Sequence, residues 1–123
     1  MKLEITCTRA EADHKQISRC RESLDKTSKT ISEMGKIFSL AGNETRLKIL
    51  FLLNQEKELC PCDFSDILKM SVPAISQHIR KMKDVDLITS RREGQTLFYS
   101  INAQRSSMLM NILNNIQSDK IAV

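Results

Sequence analysis

Between Ile31 and Ala41 the apolar side chains recur at helical steps of three and four: Ile31, Met34, Ile37, Phe38 and Ala41. One such stripe faces a core. Gly42 is a natural stop, and Asn43 can cap a following helix over residues 44–55. There Leu47, Ile49, Leu50, Leu52 and Leu53 leave almost no polar face, so this helix is expected at the centre of the core. Asp63 reads as the N-cap of a short helix over 64–70, with Ile67 and Leu68 inward. Pro73, whose locked φ and missing N–H cost nothing in a first turn, opens a helix over 73–85. Val72, Ile75, Ile79 and Met82 mark its buried side, and Ser76, Gln77, Arg80, Lys81 and Lys83 its opposite side.

After Leu87 the period shortens from 3.6 to about 2. The stretch LITSRREGQTLFYSI predicts two short strands joined around Glu93, Gly94 and Gln95, a hairpin with a basic tip at Arg91 and Arg92. Asn102 then caps a last helix over 103–118, whose stripe of Met108, Leu109, Ile112, Leu113 and Ile116 calls for another helix against it. Upstream, residues 1–10 lack periodicity, and 11–25 are charged and helical in pattern, with Ile17 and Leu24 as their few apolar anchors. The chain therefore divides into an arm over 1–28, a folded domain over 29–118 and a tail over 119–123. The fold class is mainly α with one small β-hairpin.

Composition narrows the function. In 123 residues, 41% hydrophobic and 4% aromatic, there is room for one modest core built from Leu, Ile and Met, and none for a deep catalytic cleft within a single chain. The net charge of +4 suits a polyanionic partner. No stretch is long and apolar enough to be a signal peptide or membrane span, so the expected location is cytoplasmic with no membrane partner. In that reducing compartment the four cysteines are expected as thiols, either metal ligands or redox groups.

Two short helices, a tight turn between them and a hairpin behind them are the parts of a winged helix-turn-helix. An α-helix fits the major groove of B-DNA, where Gln, Arg, Lys and Ser reach base edges and phosphates. Ser71, Ser76, Gln77, His78, Arg80, Lys81 and Lys83 are the candidate contacts from the second helix and its entry, with His78 alternatively packing at the helix edge. Arg91 and Arg92 would follow the phosphate backbone. Cys60 and Cys62 stand one residue apart at the start of the first helix, where the positive end of the helix dipole favours thiolate. Their spacing is poor for an unstrained disulfide. Thiolates are soft ligands that favour Cd(II), Pb(II), Hg(II), Cu(I), Zn(II) or trivalent arsenic over hard ions, and Cys7 and Cys20 are the obvious further ligands.

The segments LAGNETRLKILFLL, ELCPCDFSDIL and SVPAISQHIRKMKDVDLITSRREGQTLFYSI resemble the ArsR/SmtB family of metal-sensing repressors over about residues 34–118. That resemblance implies a homodimer paired through its terminal helices, bound to an operator inverted repeat and released by metal. It also implies thiolate ligation at Cys60 and Cys62 together with arm cysteines, commonly from the other protomer. In the Cd/Pb branch a second arm cysteine lies four residues after the first; here that place is Glu11, and the second arm thiol is Cys20. The family's other site, of Asp and His on the last helix, is expected to be absent because residues 102–118 contain neither. Zinc is the less favoured ion. The alternative reading is a thiol-redox or persulfide sensor on the same fold. An enzyme is disfavoured by the missing C-x-x-C and glycine-rich phosphate loop.

Overall fold

The computed structural model describes residues 6–117, so the expected tail over 119–123 lies outside them. The chain forms two compact units, Met1–Met34 and Gly35–Val123. Helix α1 runs without a break over His14–Ala41, where the apolar pattern suggested an arm segment and a separate helix from Ile31. The polar stretch from Lys26 to Thr30 carries no apolar residue to show the period. It remains helical with local help: Thr27 Oγ1 donates to the Ser23 carbonyl at 2.8 Å, and Lys26 pairs with Glu22 at 3.2 Å. Within the first unit Leu24 and Ile31 are exposed.

In the second unit α2 (Glu44–Glu56) is the central element and touches α4, α5 and β2. Asn43 caps it as expected, its side chain accepting from the Arg46 N–H at 3.1 Å. Ile49, Leu50 and Leu53 are buried. Helix α3 (Pro61–Leu68) is too short to hold on its own; Phe64, fully buried, anchors it. Burying such a side chain stabilises by about 1.5–3 kcal/mol, more than propensity contributes at any one position.

Helix α4 (Val72–Asp84) buries Ile75, Ile79 and Met82 and opens with Ser71 as N-cap, whose hydroxyl accepts from the Ala74 N–H at 3.2 Å. Its expected start shifts one residue earlier, which places Pro73 second in the first turn. The α3–α4 turn is held by Ser65: its carbonyl accepts from the Met70 N–H at 3.3 Å and its hydroxyl donates to the Met70 carbonyl at 2.5 Å. Lys69 sits in the turn with φ +56.

Strands β1 (Ile88–Glu93) and β2 (Thr96–Ile101) form the antiparallel hairpin, with Arg91 opposite Phe98 and Glu93 opposite Thr96. Its tip is Gly94–Gln95. Gly94 has φ +62, a conformation that glycine adopts without the Cβ penalty. Arg91 and Arg92 therefore lie on β1 before the turn, not at its tip. Leu59 extends this sheet on the far side of β2, exchanging both backbone hydrogen bonds with Tyr99 at 3.1 and 2.9 Å.

Helix α5 (Ala103–Gln117) packs Leu109 and Leu113 into the core and leaves Met108, Ile112 and Ile116 more than 40% exposed. At its entry the Asn102 amide donates to the Asp86 carbonyl at 2.9 Å. Ser106, buried, donates to the Leu87 carbonyl at 3.0 Å.

Candidate nucleic-acid interface and thiol turn

Residues three and four apart share a helix face. On α4 this puts Ser76, Arg80 and Lys83 on one stripe, with Gln77 and Lys81 beside it. Gln77, Arg80, Lys81 and Lys83 are exposed, Ser76 is half-buried, and Ser71 is exposed at the entry. Lys83 Nζ donates to Ser90 Oγ at 2.8 Å, linking the end of α4 to the wing.

His78 is two residues from both Ser76 and Arg80, hence off their stripe. It is half-buried, and its Nδ1 accepts from Arg46 Nε at 3.1 Å. An accepting Nδ1 carries no proton, so the neutral ring holds its hydrogen on Nε2. Desolvation, then the charges of Arg46 and Lys81, hold its pKa below the ordinary histidine value of 6.5. Arg46 in turn reaches the Leu40 carbonyl at 3.3 Å through Nη1. The histidine thus occupies the packing position at the helix edge, and Arg46, which periodicity did not single out, is the residue that orients it.

On the wing the two arginines differ. Arg92 is exposed and makes no ion pair among the described residues. Arg91 is committed: Nε and Nη2 form a bidentate pair with the Glu58 carboxylate at 2.6 and 2.8 Å, and Nη1 reaches Glu93 at 3.1 Å. Its guanidinium also lies over the Phe98 ring, 4.8 Å from the centroid. The hydrogen bonds from Arg91 hold the Glu58 carboxyl below the usual carboxylate range, and the two carboxylates raise Arg91 further. No local signal reveals this pair, because its members are 33 residues apart.

The thiol turn also departs from expectation in its register. The N-cap of α3 is Cys60, in extended conformation at φ −96 and ψ 163, and Pro61 is the first helical residue. Asp63 is three positions inside the helix. Its Oδ2 reaches back to accept from the Cys60 N–H at 3.0 Å, the carboxylate half of a capping box. Cysteine is tolerated as the cap here because Pro61 has no N–H to satisfy, the Asp63 N–H finds the Cys60 carbonyl at 3.0 Å, and the Asp63 carboxylate takes the Cys60 N–H.

Cys60 is half-buried and Cys62, in the first turn of α3, is exposed; Cys7 and Cys20 are exposed in the first unit, the latter on α1. All four are free thiols. The first turn of α3 thus offers two soft donors, which suits a thiophilic ion in donor chemistry but leaves its shell incomplete. Among the described residues no three His, Cys, Asp or Glu side chains gather into a metal-binding group. No helix among them is long and apolar enough to cross a membrane.

The geometry accords with the comparisons. Residues 43–90 match the model of the bacterial regulatory protein, arsR family. The chain is 30% identical over 119 residues to the cadmium resistance transcriptional regulatory protein CadC of Listeria innocua, covering 97% of this chain and 95% of that protein. Among solved structures it resembles reduced HlyU from Vibrio cholerae, with a TM-score of 0.68 and 28% identity over 76% of this chain and 97% of the other. The homodimeric winged helix-turn-helix DNA-binding domain of Mb0332 from Mycobacterium bovis shares the fold at a TM-score of 0.67 and 22% identity, with 80% and 90% covered. The matched relatives are regulators of transcription, and the match to CadC spans nearly the whole of both chains. With its α3–α4 pair, its hairpin wing and this match, the chain belongs to the arsR family of bacterial regulatory proteins.

Proposed function

We propose that this protein is a metal-responsive transcriptional repressor. It binds an inverted-repeat operator as a metal-free homodimer and releases it when a thiophilic ion is held by Cys60, Cys62 and the arm thiols Cys7 and Cys20. One observation carries the reading. The two thiols are the N-cap and part of the first turn of α3, the helix that holds α4 at its angle, so ligation there acts on the element that positions the DNA-reading face.

Ser71, Ser76, Gln77, Arg80, Lys81 and Lys83 supply that face, and Arg92 the wing's phosphate contact. His78 shapes it through Arg46. Dimerisation is supported by the apolar surface of Phe38, Met108, Ile112 and Ile116, all over 40% exposed. A dimer would bury that surface by an isologous contact, and a homodimeric relative of the same fold exists in Mb0332. The ion, when bound, supplies only strong sulfur bonds, with Cd(II), Pb(II), Hg(II) and trivalent arsenic preferred over Zn(II) by softness. Cadmium is the first to test, given the similarity to CadC.

Allosteric couplings of about 1–3 kcal/mol correspond to a roughly 5- to 150-fold fall in DNA affinity. The test is fluorescence anisotropy on a duplex that the protein selects from a randomised pool, titrated with Cd(II), Pb(II), Hg(II), As(III) and Zn(II). Release by a thiophilic ion, lost in the Cys→Ser variants, is the expected result. Release by peroxide or polysulfide in the presence of chelator, with no response to any ion, would instead make the protein a redox sensor.

A further inference from the structure

The wing is tied to the thiol turn by more than chain connection. Strand β2 has a backbone partner on each side: Tyr99 pairs with Ser90 of β1 on one side and, through an isolated bridge, with Leu59 on the other. Leu59 is the residue immediately before Cys60. Glu58, next to it, grips Arg91 of β1 through two hydrogen bonds of 2.6 and 2.8 Å. The Arg91 side chain therefore spans β2, lying over Phe98 on the way. β1 and the Glu58–Leu59 segment are thus clamped to each other across β2.

Exposed ion pairs contribute little on average, but the bidentate arginine–carboxylate geometry is the exception that fixes direction as well as distance. Three of the five N–H donors of Arg91 already bond to carboxylates, one from each of Nε, Nη1 and Nη2, and the paired carboxylates oppose the approach of a phosphate. On the same strand Arg92 makes no ion pair among the described residues. Two adjacent arginines, read as equals from their order in the chain, hold different jobs.

We propose that the Glu58–Arg91 pair is a strut that carries displacement of the Cys60–Cys62 turn into the wing, so that Arg91 is a positioning residue and does not touch DNA. The proposal rests on the metal-sensing reading. Movement at Cys60 reaches α4 through α3 in any case. The strut adds a second path, from Glu58 through Arg91 to the strand that bears Arg92, so that the α4 face and the wing leave the DNA together.

Two measurements on the full-length protein test it. The first needs no metal: the dependence of DNA affinity on salt. Each phosphate pairing lost should flatten the log–log slope by about 0.9, so a substitution that removes one from each protomer of the dimer should flatten it by about 1.8. Arg92→Gln is expected to do so and Arg91→Gln to leave the slope as in wild type; a flattening by Arg91→Gln equal to that of Arg92→Gln overturns the proposal. The second uses Cd(II) as the probe. Glu58→Gln and Arg91→Gln are each expected to shrink the ratio of metal-free to Cd(II)-loaded DNA affinity severalfold, and the double variant no further. Cd(II) binding itself, read from the sulfur-to-cadmium absorption band, should be unchanged.

The exchanged pair Glu58→Arg/Arg91→Glu should recover part of the ratio. A full ratio in both single variants overturns the strut. If wild type binds Cd(II) without releasing DNA, or does not bind it, the choice of cadmium falls by itself, the same ratio is read with whichever of Pb(II), Hg(II) or As(III) releases wild type, and the salt slope still decides whether Arg91 touches phosphate. Thermal melts of each variant separate a broken strut from a broken fold.

Discussion

Helices α3 and α4 open alike in sequence and unlike in chemistry. Each has an extended N-cap and a proline in its first turn. On α4 the cap is Ser71, whose hydroxyl takes the Ala74 N–H, the role for which serine is among the preferred residues. On α3 the cap is Cys60, a weak acceptor, and the support comes from Asp63 reaching back to the Cys60 N–H. A thiol at a cap forgoes stability that a hydroxyl would contribute. The difference teaches that the Ser71 turn is capped by its own side chain, whereas the Cys60 turn leans on Asp63 and keeps its thiols for the ligand role proposed above.

The largest effect expected from disturbing this contrast lies in metal response. Cys60→Ser/Cys62→Ser should abolish the roughly 5- to 150-fold fall in DNA affinity, about 1–3 kcal/mol of coupling, that a thiophilic ion is proposed to cause in wild type, while metal-free binding stays near the wild-type value in the same anisotropy assay. Full release from the double variant would place the sensing thiols elsewhere. Next comes the structural cap: Ser71→Ala should lower the unfolding free energy by about 1 kcal/mol, measured by urea denaturation.

Smaller, and of opposite sign, is the single change Cys60→Ser. It is expected to raise the unfolding free energy by about 0.5 kcal/mol, because the hydroxyl is the better cap. A clear decrease instead would show that the thiol packs better than it caps, and would break the comparison between the two turns.

The smallest effect concerns pH. His78 has a folded-state pKa below the ordinary 6.5, so between those two values the unfolded chain binds more protons and stability rises with pH. It is fully present above the unfolded value and lost as pH falls through the window toward the folded one, as protonation removes the acceptor for Arg46. Urea midpoints across that window should show this slope in wild type and a flatter one in His78→Gln.

Much of the fold was legible along the chain. The helical steps from Leu47 to Leu53, the Asn43 cap, Pro73 in a first turn and the change of period after Leu87 are local signals, and each found its element. The thiol turn was visible as Cys60 and Cys62, but its register was not. Asp63 is a good cap by type, and only the Cys60 N–H on its carboxylate shows that the helix begins three residues earlier. The continuity of α1 was hidden for a related reason: between Lys26 and Thr30 no apolar side chain reports the period.

By itself, then, the sequence determined the order of helix, turn, helix and wing, and the presence of soft donors beside a basic helix, because periodicity, caps and turn residues act over a few positions. Tertiary structure alone decided the long-range partners of the charged groups. Arg91 meets Glu58 across 33 residues of chain and Arg46 meets His78 across 32. Such pairings depend on which strands and helices the core brings side by side, and no local pattern encodes them.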